Sequence, residues 1–358
     1  MVDGTTLGAL AIGVAFGAVV QRGHFCTMGC VSDAVLFGSF RRARVWALAL
    51  AVALLGSQAL ERLGLVDLGA SLYRAPSLFW LGAVVGGLMF GFGMVLAGGC
   101  ASRNLVRLGA GSLKALVTLL VMAVVARATL LGLLAPLHAG LRAVGTVELG
   151  PDQGMPALLG AALGLDPVAL GAVLALGVGG ALLAFALRDP ALRGSREDLA
   201  TGLALGLLVP AGWLLTGWAA ADPLASSQPQ SLTFVAPIGE VLLLATTGGT
   251  PGFGSALVVG TVIGAAAVAG RRGQMRLETF AGRGDMVRHL VGGALMGGGG
   301  VLALGCTVGQ GLTGAATLGL GSWLALGAIL AGGWWGVRHL ETGRLLPFLP
   351  SLAAPRRS

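Results

Sequence analysis

With 55% apolar residues, 11% charged residues and a mean hydropathy of +0.87 over 358 residues, the chain is too apolar for a soluble domain, where about a quarter of residues are charged. Its net charge of +8 would suit nucleic acid in a soluble protein. In a chain of apolar runs the basic residues read instead as cytoplasmic loops, and no nucleic acid partner is expected.

The N-terminus carries Asp3 and no basic stretch before the first apolar run, so no cleaved signal peptide is expected. Nine apolar runs then follow at 5–21, 45–64, 78–98, 113–135, 167–187, 198–221, 253–270, 286–304 and 321–338. Each is long enough to cross a bilayer as helix, which takes about 17–25 residues. Four shorter apolar stretches, 27–39, 101–111, 231–247 and 307–319, read as half-helices or re-entrant segments. The expected fold class is therefore all-α: a polytopic membrane protein of nine transmembrane helices plus four short re-entrant or broken helices, in a single integral membrane domain. The 63 glycines suit helices packed closely in lipid.

Orientation follows from the basic residues. With the N-terminus outside and each long run crossing once, 18 fall inside: Arg41, Arg42, Arg44, Arg103, Arg107, Lys114, Arg188, Arg193, Arg196, Arg271, Arg272, Arg276, Arg283, Arg288, Arg338, Arg344, Arg356 and Arg357. Three, Arg62, Arg74 and Arg142, fall outside, while Arg22 and Arg127 lie within or beside spans. Excess positive charge marks the cytoplasmic side. The expectation is a bacterial inner-membrane protein with its N-terminus periplasmic and its C-terminus cytoplasmic.

The chain repeats itself. Residues 87–100, GLMFGFGMVLAGGC, and 293–306, GALMGGGGVLALGC, agree at eight of 14 positions and end on Cys100 and Cys306. The two repeats run from about 5 to 135 and from about 198 to 338. The linking span 167–187 makes the number of crossings between them odd, so the second is expected upside down relative to the first. Inverted repeats with broken helices near the midplane are transporter architecture.

Of the four cysteines, Cys26, Cys100 and Cys306 each stand where a long run ends and a short one begins. Thr27, Ser102 and Thr307 would be the N-caps of those short helices. Unpaired N–H groups and the positive end of the dipole make a helix start attractive to anions. Flanking glycines such as Gly99 and Gly305 let a ligand approach the backbone. Cys30, one turn into the first short helix, has no counterpart and reads as packing. The cysteines form no paired CxxC set and have no companion His pair, so no metal is expected. Arg22, Arg103 and Arg127 are candidate fixed charges, because intramembrane charge is costly and marks function. Asp33 and Glu240 are their candidate partners. No P-loop pattern occurs, so neither ATP nor a cofactor is expected.

Three motifs in order carry a resemblance: Gln21-Arg22-Gly23-His24-Phe25-Cys26-Thr27-Met28-Gly29 with Ser32-Asp33, Gly91-Phe92-Gly93-Met94 through Gly99-Cys100, and Gly305-Cys306-Thr307-Val308-Gly309-Gln310-Gly311. With Trp213 and Ser231-Leu232-Thr233-Phe234, the sequence resembles the YeeE/YedE family of sulfur transport proteins along essentially its whole length. The resemblance implies thiosulfate uptake from the periplasm along a path through Cys26, Cys100 and Cys306. Gln21, Arg22, Gly99, Gly305, Thr307 and Gln310 would stand beside that path. It also implies a cytoplasmic TusA/SirA-like sulfur carrier as partner. Other family members are associated with selenium, so another sulfur or selenium species is an alternative substrate. Two further readings differ in kind: a membrane persulfide-transfer enzyme, with one cysteine as nucleophile and His24 two residues from Cys26, and a scaffold that docks sulfur carriers. For transport, thiols suit thiosulfate, a dianion with a soft terminal sulfur. A neutral thiol is a weak donor that holds an anion loosely.

Overall fold

A computed structural model describes residues 4–150, 152–220 and 228–344 of the chain. Asp3, Arg356 and Arg357 lie outside those residues. The chain is helical nearly throughout. Helix α1 (Gly4–Gly23) leads into a short α2 (Thr27–Phe37) and a long α3 (Arg41–Arg62). A π-turn at Gly82–Gly86 opens α4 (Gly87–Leu96), followed by short α5 (Ala101–Gly109) and long α6 (Leu113–Leu131). After α7 (Ala135–Gly145), α8 (Met155–Leu163), α9 (Pro167–Leu187) and α10 (Pro190–Gly194), the pattern resumes with α11 (Arg196–Ala220) and short α12 (Val235–Thr247). Helices α13 (Phe253–Arg271), α14 (Arg283–Leu302) and α15 (Leu320–Thr342) complete it, with a π-turn at Gly309–Gly314 between the last two.

Among the described residues, eight helical stretches are long and apolar enough to cross a membrane, with α1–α2 and α4–α5 each counted as one. The ninth expected span forms as α14, but Arg283, Asp285, Arg288 and its many glycines leave it without as long an apolar stretch as the other eight. Two expectations fail locally. The run 78–98 does not begin as helix: Ser77–Phe79 is a strand (β1) paired antiparallel with Thr146–Glu148 (β2). The stretch 307–319 is built around a π-turn rather than a regular half-helix, and its glycines permit that wider turn.

Small residues set the helix contacts. Helices α1 and α13 approach so closely that a Cβ on Gly17 would overlap the Thr261 carbonyl, and one on Gly264 would overlap that of Val14. Larger side chains there would force the helices apart. The packing is reciprocal: α1 lies on α13 as α3 lies on α11, α4 on α15 as α6 on α14, and α2 on α15 as α12 on α6. Helix α9 packs mainly on α3 and is largely exposed.

Ion pairs gather the basic segments at one end of the bundle. Arg41 pairs with Asp198 at 2.7 Å, Arg44 with Asp189 at 2.7 Å, Arg107 with Glu278 at 2.9 Å and Lys114 with Asp285 at 2.9 Å. At the far end of α3, Arg74 binds both Glu61 and Asp152.

Candidate functional site

Three helix breaks share one backbone device. The residue two before each cysteine is left-handed: His24 at φ 50°, Gly98 at φ 65° and Leu304 at φ 57°. That residue ends the incoming helix and throws the chain sideways, so the cysteine starts the next segment. Cys26 and Cys100 are extended, at φ −160°, ψ 121° and φ −73°, ψ 176°. The expectation that Thr27, Ser102 and Thr307 cap these starts is corrected: Cys26 and Cys100 occupy the cap position themselves, and Val308 precedes the π-turn after Cys306. The Gly29 N–H donates to Cys26 Sγ at 3.5 Å, and the Gly309 N–H donates to Cys306 Sγ at 3.3 Å. Thr27 and Ser102 fall one and two residues later, inside the first turn.

The breaks converge. The Cys26 and Cys100 thiols stand beside one another. Cys100 also meets Ser102 Oγ at 3.3 Å and is approached by the Thr307 hydroxyl, a fully buried group. Thr307 adjoins Cys306, whose sulfur faces the backbone of Val308, Gly309 and Phe234. Asn104 braces the Cys100 break, its Nδ2 donating to the Gly99 carbonyl at 2.8 Å. Exposure falls along the series: Cys26 is half-buried, Cys100 is 2% exposed and Cys306 is 0% exposed. A cleft of about 340 Å³ lined by Arg22, His24, Phe25, Asp33 and Arg42 reaches Cys26 from the basic end. Beyond Cys306, the space between Tyr73, Gln153, Gln310 and Ser322 is only about 20 Å³.

Residues 22–335 match the family described as sulphur transport. The chain belongs to this sulphur transport family. The thiosulfate transporter TsuA of Escherichia coli K12 is 29% identical over 329 residues, covering 86% of this chain and 86% of that protein. The thiosulfate transporter TsuA of Spirochaeta thermophila is 35% identical over 102 residues, 28% of this chain and 29% of that one. The probable transporter YedE of Salmonella typhimurium LT2 is 35% identical over 101 residues, 28% of this chain and 23% of that one. Family and helices together make this sulphur transport protein a multi-pass membrane protein.

The other candidate residues of this sulphur transport protein divide by position. Arg103 stands beside Cys26 and Cys100, with a buried Nη1 that has no hydrogen-bond partner among the described residues. A Cβ on Gly99 would lie 3.1 Å from Arg103 Cγ, so the glycine leaves Arg103 its place. Gln310 Nε2 donates to the Ala303 carbonyl across the Cys306 break, and its Oε1 is buried without a partner among the described residues. Gly305 packs on that side chain, with a Cβ position 3.2 Å from Gln310 Cγ. Arg22 is exposed at the cleft rim and pairs with Glu197 at 3.5 Å. Gln21 is buried behind the cleft and donates to Gln274 Oε1 at 3.2 Å. Arg127 lies elsewhere, across Gly239 of α12 with Glu240 as its acidic neighbour. Asp33 pairs with Arg42 at 3.4 Å. Cys30 donates its thiol to the Cys26 carbonyl at 3.2 Å.

Two contributors were not singled out as path residues. Phe234, at the start of α12, brings its backbone to Cys306, and Thr313 Oγ1 donates to the Leu232 carbonyl at 2.7 Å. Tyr73, the sole tyrosine, stands beside Thr233 and edge-on to Trp213 at 6.2 Å. Its position in a polar loop hides it from any periodicity argument. The motif Ser231-Leu232-Thr233-Phe234 was a usable signal for the other.

Proposed function

We propose that this chain carries thiosulfate inward across the bacterial inner membrane along Cys26, Cys100 and Cys306, with its N-terminus periplasmic and its basic end cytoplasmic. The observation that carries the reading is the meeting of the three cysteine breaks, with Cys26 on Cys100 and Cys100 against Thr307 beside Cys306. The resemblance to the thiosulfate transporter of E. coli supports the substrate. The basic end, rich in arginine, supports the orientation under the positive-inside rule. Reciprocal packing of the two halves supports an inverted-repeat transporter.

The chemistry suits a soft dianion. Non-helical backbone inside a membrane is tolerated where it lines a protein cavity, and there its N–H groups serve an anion. A neutral thiol donates weakly to the terminal sulfur of thiosulfate and lets it go. The unpartnered Arg103 Nη1 supplies fixed positive charge next to Cys26 and Cys100. Inward movement of a dianion against 100 mV, inside negative, costs about 4.6 kcal/mol at ~2.3 kcal/mol per charge. Rapid consumption inside would relieve part of that gradient, and a TusA/SirA-like sulfur carrier docking at the basic end fits this role.

Substrate choice is tested in proteoliposomes loaded with buffer alone, using ³⁵S-thiosulfate and excess unlabelled sulfate, sulfite or selenite. Thiosulfate should accumulate, and only anions with a terminal soft sulfur should compete strongly. Equal competition by sulfate would overturn the thiol-based selectivity. A persulfide that forms on one cysteine and turns over at the uptake rate would favour the sulfur-transfer enzyme instead.

A further inference from the structure

Passing an anion requires thiols along a path, but it does not require two of them to be neighbours. Cys26 and Cys100 are neighbours, and they differ in access: Cys26 lines the cleft and is half-buried, while Cys100 is 2% exposed behind it. Every thiol has a local partner, but only Cys26 and Cys100 also have each other. Cys30 donates to the Cys26 carbonyl at 3.2 Å, and Cys306, 0% exposed, accepts from the Gly309 N–H at 3.3 Å. Both cysteines sit on helix breaks rather than inside helices. Arg103 lies beside both, with its Nη1 unpartnered among the described residues. Arg22 and Arg42 also line the cleft, so the approach to the pair carries positive charge.

We propose that Cys26 and Cys100 form a dithiol reaction centre that reduces small anionic disulfides arriving through the cleft, and that its oxidised form seals the path. The proposal rests on the thiosulfate reading above, because the oxidised dimer of that anion, tetrathionate, is the member of the class that fits the site. The Cys26 thiolate attacks a central sulfur of tetrathionate. A Cys26–S bond forms, the central S–S bond breaks and one thiosulfate leaves. The Cys100 thiolate then attacks the Cys26 sulfur, displacing a second thiosulfate and leaving a Cys26–Cys100 disulfide. Two thiol protons pass to solvent, and two electrons pass from the thiols to tetrathionate. A small external thiol reverses the oxidation by ordinary exchange. The disulfide ties the start of α2 to the start of α5, across the route to Thr307 and Cys306.

The test uses full-length protein purified in detergent, treated with tetrathionate and followed by intact-mass and peptide mass spectrometry with a thiosulfate assay. Two thiols should disappear per chain, two thiosulfates should be released, and a Cys26–Cys100 cross-linked peptide should appear and vanish with dithiothreitol. Cys30→Ser and Cys306→Ser should give the same stoichiometry. Cys26→Ser should release at most one thiosulfate, at least tenfold more slowly. A stable adduct on a single cysteine in the wild type, a cross-link to Cys30, or no reaction would each overturn the proposal. In proteoliposomes the cross-linked protein should lose uptake and regain it with dithiothreitol, and unchanged uptake after complete cross-linking would overturn the sealing. Failure of the reduced protein to take up thiosulfate would refute the transport reading, and it would leave the thiol count, read on non-transporting protein, to be judged separately.

Discussion

The breaks at Cys100 and Cys306 begin from nearly the same sequence and end in different chemistry. Both follow a glycine-rich helix, and both place a left-handed residue two positions before the cysteine. At Cys100 a regular helix follows, Arg103 stands three residues on, and the sulfur faces Cys26, Ser102 and Thr307. At Cys306 a π-turn follows, Gly309 stands three residues on, and the sulfur accepts that glycine's N–H. One backbone device thus positions a sulfur among other side chains at the first break and a sulfur held as a backbone acceptor at the second. The residues after the cysteine decide which.

The largest effect should come from removing the charge that only the first break has. Arg103→Gln should lower initial thiosulfate uptake about tenfold or more at matched abundance, the scale of losing a charged hydrogen-bond donor. Arg103→Lys should fall between, since it keeps the charge and loses the fork geometry. Wild-type uptake in Arg103→Gln would mean that the two breaks are electrostatically equivalent.

A smaller effect concerns what anchors each break. Arg107 reaches the Gly98 carbonyl at 3.4 Å and pairs with Glu278 in the loop before α14, whereas the Cys306 break is braced internally by Gln310. Burial pushes the Glu278 carboxyl up, but hydrogen bonds from Arg107 and Ser112 more than reverse this and hold it below the usual carboxylate range. A depressed folded pKa stabilises above the unfolded value and loses that contribution as pH falls through the folded value. Between pH 6 and about pH 3, a range that covers the ordinary glutamate value near 4.3, the melting temperature of wild type should fall more than that of Glu278→Gln. Parallel curves would detach the Cys100 break from this loop.

The smallest effect is on the left-handed residues. A non-glycine residue there costs about 1–2 kcal/mol, and glycine's greater unfolded-state freedom returns about 0.5–1 kcal/mol of that. Leu304→Gly should therefore stabilise slightly and Gly98→Leu should destabilise by about 1 kcal/mol, both read by thermal unfolding in detergent. Equal shifts of the same sign would show that the two breaks do not share their backbone geometry.

Hydrophobic run length located most helices within a few residues, because a membrane span must be continuous and apolar. Helix α9, expected at 167–187, forms at Pro167–Leu187. The same logic is blind to what lies outside the apolar phase, and so it missed α7, α8 and the β1–β2 pair. The cysteine breaks were visible as glycine-flanked interruptions. Their shared turn was not, because His24, Gly98 and Leu304 have no side-chain feature in common; only the backbone angle unites them. Arg127 looked functional because it lies inside a span, yet its neighbour is Glu240 and not a cysteine. Intramembrane charge signals a partner, and sequence does not say which one.

The central claim is that Cys26, Cys100 and Cys306 line one path. It is tested most directly by the initial rate of ³⁵S-thiosulfate uptake into vesicles holding wild type, Cys26→Ala, Cys100→Ala, Cys306→Ala or Cys30→Ala at matched membrane abundance. Each of the first three variants should lose about tenfold or more, the scale of ~1.4 kcal/mol at a site the anion must visit, and Cys30→Ala should change mildly. Near wild-type rates in Cys26→Ala, Cys100→Ala and Cys306→Ala would show that the thiols only fill space, and would contradict it.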